Sequence, residues 1–265
     1  LMFVPDSWWH STYNEDEVVV GVGGQGHGAG LHRAAASNDV VAAAALCTQD
    51  LEAPSCAQST RINLINSQGR GPVHTAAEAG SVDMLRWFRD NGFQDWRLDA
   101  GHVPTITYSS GGGFHSPDRM GQSQVQLAAG AGQLAAVQWL HSDVGGGVPL
   151  TQPGFGRAAR ESIHSAAAAG QLPIVQWLVS QGVPIDETDR FNSTPLHMAA
   201  IRDRSEVAQW LLENGADIDA VGEDDGTAWI IAEALGSRKT LEVLRKFGNK
   251  SSMHRGSRRQ RAKKP

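Results

Sequence analysis

A five-residue pattern that returns six times constrains this chain more than any other feature of its sequence. Each copy begins with an apolar residue, and its second position is usually histidine. A variable residue and two alanines follow, and the last copy is degenerate. The first residues of the copies are 42, 52, 38, 33 and 33 residues apart, so inserts of 9, 19 and 5 residues interrupt a 33-residue period. Such a period is typical of proteins built from stacked units. The copies occupy residues 31–35, 73–77, 125–129, 163–167, 196–200 and 229–233.

A second pattern follows each copy and predicts that every unit is a pair of short helices. A glycine such as Gly80 or Gly170 comes first, and Asn38 and Asp203 take its place in two units. Apolar residues then recur at helical spacing, which is typical of a helix with one buried face. The alanine-rich first helix allows neighbouring units to approach closely. One unit cannot bury its apolar face alone, so the units must stack.

The fifth unit carries the clearest resemblance to a known family. Residues 194–197 read Thr-Pro-Leu-His, and the following helical stretch closes with residues 211–217. The chain therefore resembles the ankyrin repeat family, whose units have a Thr-Pro-Leu-His signature and a period of about 33 residues. The resemblance covers roughly residues 24–248. It implies an all-α solenoid of stacked helix-turn-helix units joined by short β-turn or hairpin loops.

Three units depart from the family pattern. The first has Asn38 and Asp50 at its glycine positions, and the sixth has Trp229-Ile230 in place of Leu-His. Terminal units of a solenoid are expected to be atypical because one face meets water. The third unit reads Ser-Gln-Val-Gln over 123–126 and lacks both the proline and the histidine, so its turn geometry stays open.

Charge separates the chain into a body and a tail. The net charge is −5, but residues 250–265 carry seven lysines and arginines and no acid, which leaves −12 for residues 1–249. The tail is predicted to be a nuclear-import signal, a phosphate-binding arm or a solvated terminus. It has no aromatic residue to stack on bases, so sequence-specific nucleic-acid binding is not predicted. The predicted organisation is a flexible or capping segment over 1–23, about six units over 24–249 with inserts near 50–60, 99–117 and 144–150, and the basic tail over 250–265.

Cysteine use and hydropathy bear on the compartment. Cys47 and Cys56 are interpreted as ordinary thiols in a reducing compartment, with a local disulfide or a cysteine-based site as the alternatives. No apolar run approaches the length of a membrane helix, and no signal-peptide pattern is recognised. We therefore expect an intracellular protein, cytoplasmic or nuclear. Because the chain begins with Leu1 rather than Met, the sequence leaves open whether a further domain lies upstream of it.

Two groups of residues resemble sites of chemistry. The glycines of residues 21–26 match G-x-G-x-x-G after a short apolar run, which could hold a dinucleotide. A second strand is lacking, so a loop leading into the first unit is favoured over that reading. The repeated histidines could form a metal ladder, but units about 10 Å apart cannot converge on one ion, and a structural hydrogen-bonding role is favoured. These histidines are His32, His74, His164 and His197.

Tryptophan recurs on the second helices of four units. A ladder for aromatic binding is conceivable, but packing between neighbouring units is favoured because another unit fills the same position with Val243. The insert near 99–117 contains Tyr108, Phe114 and three consecutive glycines, and it is predicted to project as a finger or to have no function. The tryptophans are Trp87, Trp139, Trp177 and Trp210.

The family resemblance implies a partner site on the loop tips and on the inner face of the first helices. Four successive tips carry arginine, although the body is acidic. Arginine suits bidentate contacts to carboxylate or phosphate, so an acidic or phosphorylated segment is the predicted ligand, with Met120 and Phe191 as apolar anchors. Arginines that serve solubility alone are the alternative. The predicted partner-binding residues are Arg70, Glu78, Arg119, Met120, Gln122, Arg157, Arg160, Arg190, Phe191, Ser193 and Arg202.

These patterns together predict a non-catalytic adaptor or scaffold, monomeric, that binds a protein partner. No catalytic residue, metal, cofactor, small-molecule substrate or membrane contact is predicted. One alternative is a regulatory or targeting part of a larger enzyme whose catalytic domain lies upstream of Leu1. A second is a nucleotide-dependent enzyme that uses the glycines of residues 21–26.

Overall fold

Short helices follow one another along the chain in pairs. The structure, a computed structural model, describes residues 27–48, 66, 68–91, 118, 120–142, 156–222 and 226–248. Within these ranges all regular secondary structure is α-helical, which confirms the predicted all-α solenoid. The first helices of units 1–6 are α1 (His27–Ser37), α3 (Pro72–Ala79), α5 (Gln124–Gly130), α7 (Gly156–Ala169), α9 (Pro195–Ile201) and α11 (Ala228–Leu235). The second helices are α2 (Val40–Thr48), α4 (Val82–Asp90), α6 (Leu134–His141), α8 (Leu172–Ser180), α10 (Ser205–Glu213) and α12 (Arg238–Phe247).

Several predicted segments lie outside the described residues. They are the terminal segments 1–23 and 250–265 and the inserts near 50–60, 99–117 and 144–150. The glycine-rich stretch 21–26 also lies there. The domain boundaries therefore stay predictions.

The helices form two layers, with one helix of each unit in each layer. Every first helix contacts the first helix of the next unit, and every second helix contacts the next second helix. Within a unit, the two helices also pack against each other. Contacts between neighbours along the chain are the pattern expected of a solenoid, in which a unit buries its apolar face against adjacent units.

Alanine makes the inner layer possible. The two alanines of the repeated pattern are buried in each of the first five units, so the first helices can approach without bulky side chains between them. The second helices contribute most of the large core residues, among them Leu85, Phe88, Leu178 and Leu211. Burial of each such side chain stabilises the fold by roughly 1.5–3 kcal/mol.

The chain reverses between the two helices of a unit through one residue in the left-handed conformation. Gly80, Gly132, Gly170 and Gly236 hold this position with φ between 73° and 84°. A side chain from the next unit lies over the glycine in three cases, and there a Cβ would clash with or press on it. For Gly132 the covering residue is Gln171. The glycine therefore serves both the turn and the stacking of units.

Asn38 and Asp203 occupy the same position without glycine and explain two of the departures in the sequence. Their φ values are 57° and 52°, a conformation that Asn and Asp tolerate better than other side chains. Asn38 Oδ1 accepts a hydrogen bond from the Met84 N–H at 3.1 Å, and Asp203 Oδ1 accepts one from the Thr240 N–H at 2.9 Å. Each side chain thus caps the second helix of the next unit, which a glycine cannot do.

Helix α7 is longer than the other first helices of the inner units and corrects the prediction for the fourth loop tip. The repeat register predicts that Arg157 and Arg160 lie in that tip, but the helix begins at Gly156 and includes both. The stretch 157–161 contains only arginine, alanine and glutamate, which favour a helix, and it lacks the glycine or asparagine found in the other tips. The loop tip is therefore replaced by extra helical turns.

Cys47 corrects the interpretation of the cysteines as free thiols. It is disulfide-bonded in the structure. The chain has one other cysteine, Cys56, which lies outside the described residues. A disulfide at this cysteine is the alternative that the sequence leaves open.

We expect Gly132→Ala and Gly130→Ala to have opposite effects on stability. Gly132 has φ +82° and a Cβ there would lie 2.7 Å from the side chain of Gln171, so alanine should destabilise the fold by about 1–2 kcal/mol. Gly130 is the matched control, because it ends α5 with open space around it and alanine should stabilise it by up to about 1 kcal/mol. Urea denaturation followed by circular dichroism compares the two. Equal stability of both variants would contradict the role given to Gly132.

Candidate functional site

Three loops that lead into first helices share one turn, which we call the tip turn, at residues 66–70, 118–122 and 189–193. Each begins with Asn66, Asp118 or Asp189, whose Oδ1 accepts hydrogen bonds from the N–H groups two and four residues later at 2.8–3.0 Å. The fourth residue of each turn has a positive φ and is Gly69, Gly121 or Asn192. The turn is thus held by its own backbone and its first side chain. The sequence carries this signal as Asn or Asp followed three residues later by Gly or Asn.

The tip turns of units 3 and 5 present large apolar side chains to solvent. Met120 and Phe191, each 47% exposed, occupy the same position of their turns. Arg190 precedes Phe191 and is exposed, and its guanidinium lies over the Phe191 ring at 4.8 Å from the centroid. This cation–π contact gives the tip of unit 5 a defined surface that combines a positive charge with an aromatic ring. Arg119, the equivalent of Arg190 in unit 3, lies outside the described residues.

Arg70 is not part of the exposed surface that the sequence predicts. It is only 6% exposed. Its Nε donates to Asp118 Oδ2 at 2.9 Å, and its other nitrogens donate to Glu78 and Gln122 at 3.0 and 3.1 Å. The side chain therefore ties unit 2 to the tip turn of unit 3. Two other predicted partner-binding residues, Glu78 and Gln122, take part in this internal network.

The remaining predicted residues lie on the inner face or at its border. Arg202 is half-buried near the end of α9. Ser193 ends the tip turn of unit 5, and its carbonyl oxygen accepts a hydrogen bond from His164 at 2.9 Å. Small residues occupy the carboxyl ends of the first helices between Glu78 and Arg202. They are Ala79, Gly130, Ala131 and Ala169. The side chains of Arg157 and Arg160 lie outside the described part of the structure.

The repeated histidines tie each unit to the next, as the structural interpretation predicts. His197 Nδ1 accepts from the Thr194 N–H at 3.0 Å, and its Nε2 donates to the Gly226 carbonyl at 3.1 Å. His74 accepts from the Gly71 N–H in the same way, and its Nε2 contacts the Gln124 side chain of unit 3. The ring thus closes its own helix start with one nitrogen and contacts the following unit with the other.

Gln126 performs the same task in unit 3, where the histidine is missing. Its Oε1 accepts from the Ser123 N–H at 2.7 Å, and Ser123 Oγ accepts from the Gln126 N–H in return. This reciprocal pair is a capping box. Gln126 Nε2 donates to Glu161 of unit 4 at 2.7 Å. A glutamine amide can replace the imidazole because it also offers one acceptor and one donor.

Burial lowers the pKa of His197 from its ordinary value of 6.5, although the hydrogen bond to the Gly226 carbonyl opposes the shift. The neutral ring is the form that the geometry requires. Nδ1 must accept from Thr194, so a proton on that nitrogen would face an N–H group. The folded protein therefore favours the neutral histidine.

The tryptophans of the second helices pack between units, as the favoured interpretation predicts. Trp87, Trp177 and Trp210 are partly buried against the core, and Trp139 is buried. A residue from the preceding unit lies against two of these rings. The Arg89 guanidinium lies 5.6 Å from the Trp139 centroid, and the His141 ring lies 5.5 Å from Trp177.

Two other kinds of site are absent from the described residues. In that part of the chain, no three His, Cys, Asp or Glu side chains cluster in a way that could hold a metal ion. No helix there is long and apolar enough to cross a membrane.

Comparison with known proteins places the chain among repeat proteins. The family model described as ankyrin repeats (3 copies) matches residues 125–222 and 163–253. The crystal structure of the human ASB11 ankyrin repeat domain is similar to the chain, with 23% sequence identity, a TM-score of 0.57 and coverage of 83% of each chain. At this identity the likeness concerns the fold alone. No curated protein matches the sequence.

Arg70→Met should destabilise the protein by about 3 kcal/mol or more, because it leaves the buried Asp118 carboxylate without its cation. Arg86→Met is the matched control. Arg86 pairs with Asp83 at 3.5 Å, but both side chains are more than half exposed, so its removal should change the free energy of unfolding by less than about 0.5 kcal/mol. Urea denaturation measures both. Similar midpoints for the two variants would show that the Arg70 network contributes little.

His197→Gln should preserve the tie between units 5 and 6, whereas His197→Ala should destabilise the protein by about 2–4 kcal/mol by leaving two buried backbone groups unpaired. The pH dependence of stability distinguishes the parent protein from the glutamine variant. The unfolded state binds more protons than the folded state once the pH falls below about 6.5, so the parent loses stability in that window. The glutamine variant should lack this part of the loss. Thermal melting between neutral and mildly acidic pH measures it, and identical pH profiles would refute the assignment.

Proposed function

This chain is an ankyrin repeat protein, and we propose that it is a non-catalytic adaptor or scaffold that binds a protein partner. Members of this fold generally act as protein–protein interaction modules. The partner would lie along the inner face of the first helices and contact the tip turns. The same surface would serve a regulatory part of a larger enzyme.

The tip turn of unit 5 is the observation that supports this proposal most directly. Arg190 and Phe191 are both exposed, although a monomer gains no core packing from an aromatic ring in that place. Asp189 and Asn192 hold the turn, and the Asn192 side chain donates to the Val221 carbonyl at 2.8 Å. A rigid turn loses little conformational entropy on binding, so an exposed anchor on it contributes efficiently to affinity.

The chemistry of the tips supports an acidic or phosphorylated partner segment that also carries an apolar residue. The Arg190 guanidinium can offer bidentate hydrogen bonds to a carboxylate or phosphate. Phe191 and Met120 would contact the apolar residue. The small side chains of the inner face, such as Ala131 and Ala169, leave room for an extended chain between the tips of units 3 and 5.

Replacing Arg190 and Phe191 together by glutamate and alanine should remove partner binding and leave the fold intact. The matched control is Arg86→Glu, which reverses one exposed charge on the outer helix α4. In affinity capture from a cell extract, the partner should bind the parent and the control but not the tip variant. Its affinity for the tip variant should fall by about 30-fold or more, as expected for an interface anchor.

Equal capture by all three proteins would refute the tip site. Partner binding that resists a replacement of the acidic or phosphorylated residues in the bound segment would refute the proposed chemistry while leaving the tip site in place.

A further inference from the structure

The last helix of the solenoid carries a concentrated positive charge on its outer side. Arg238, Lys239, Arg245 and Lys246 are all exposed on α12, and we call these four residues the basic face. Their spacing places them on one side of the helix, opposite the buried Val243 and Leu244. Glu242 is the single acid among them. Within the described residues, no carboxylate forms an ion pair with any of the four cations.

The other second helices do not share this charge. The exposed positions of α10 include Glu206 and Glu213, and those of α8 include Gln176 and Ser180. Helix α4 has a mixture of acids and bases. The basic face is therefore a property of the last unit rather than of the repeat, so the needs of stacking do not explain it.

One aromatic ring contacts the basic face, and a second aromatic residue ends the same helix. Phe247 ends α12 and is 42% exposed. The Arg245 guanidinium lies 5.7 Å from the centroid of the half-buried Trp229 ring on α11. Exposed cations next to aromatic rings are the combination with which proteins bind single-stranded nucleic acids, because phosphates contact the cations and bases stack on the rings.

The sequence after α12 continues the same charge. Residues 238–265 contain eleven lysines and arginines and one acid, whereas residues 1–237 contain twelve against 27. An acidic body repels a polyanion, so a polyanion would be directed to this end of the chain.

We propose that the basic face and Phe247 bind single-stranded nucleic acid without preference for sequence. The basic face contacts phosphates, and Phe247 stacks on a base. This site is separate from the proposed protein-binding tips. A membrane surface fits less well, because the apolar side of α12 is buried in the solenoid and is not available for insertion.

The test compares two triple variants of the full chain that remove equal charge. One is Lys239→Gln, Arg245→Gln and Lys246→Gln; the control is Arg33→Gln, Arg86→Gln and Arg204→Gln, all at exposed positions outside the tip turns. Fluorescence anisotropy measures binding of labelled oligothymidylate and oligouridylate of about 15 nucleotides over a range of salt concentrations. The α12 triple should lower affinity at least tenfold in about 0.1 M salt and reduce the salt slope by about 2, while the control changes both far less. Phe247→Ala should lower affinity by about fivefold or more.

Three results would overturn the proposal. Equal losses for both triple variants would show an attraction to overall charge rather than to α12. Loss of binding only when the cations of residues 250–265 are replaced would place the site in the tail. Binding of the chain to phosphatidylserine vesicles but not to either oligonucleotide would identify a membrane surface as the ligand. Melting curves of all variants confirm that each one folds.

Discussion

The contact between neighbouring units is the constraint on which the rest of this structure depends. A pair of helices seven to fourteen residues long leaves one side of each unit open, so a unit is stable only when the next unit covers it. Alanines allow the first helices to approach, and side chains such as His197 and Gln126 pair the buried polar groups that the approach would leave without water. Stacking therefore requires apolar surface and polar ties at the same interface, and the repeated pattern supplies both in five residues.

Much of this fold could be predicted from sequence because the same residue pattern recurs in successive units. The period, the two helices and the left-handed residue all come from local spacing, and several units agree in phase. Arg70 shows where this reasoning fails. Its partners lie 8, 48 and 52 residues away, so the sequence shows an arginine at a loop tip and the structure shows a buried ion pair. The predicted loop tip at 157–160 is wrong for a different reason. The repeat register predicts a loop there, whereas the residues of 157–161 favour a helix.

Part of the candidate site was predicted because it, too, follows from local spacing that recurs from unit to unit. The tip position follows from the repeat register, so the exposed Met120 and Phe191 could be located by counting. The turn that holds them could have been found too, since Asp189 and Asn192 stand at a spacing that predicts it. The cation–π contact of Arg190 could not, because it depends on rotamers of exposed side chains that no pattern specifies. Local geometry was thus accessible from sequence, and the direction of side chains was not.

The position of a unit in the stack determines how strongly its surfaces are held. Internal units contact two neighbours, whereas unit 6 contacts unit 5 and has no described unit beyond it. Ile230 occupies the position that histidine holds in four other units, so unit 6 has no ring nitrogen there to pair with a polar group. Unit 6 therefore depends on a single interface, in which His197 and Asp203 supply the polar ties. Any loss of those ties acts on α12 first, because in a linear stack a unit with one described neighbour can open without disturbing the others. The basic face of α12 is consequently sensitive to the state of that one interface.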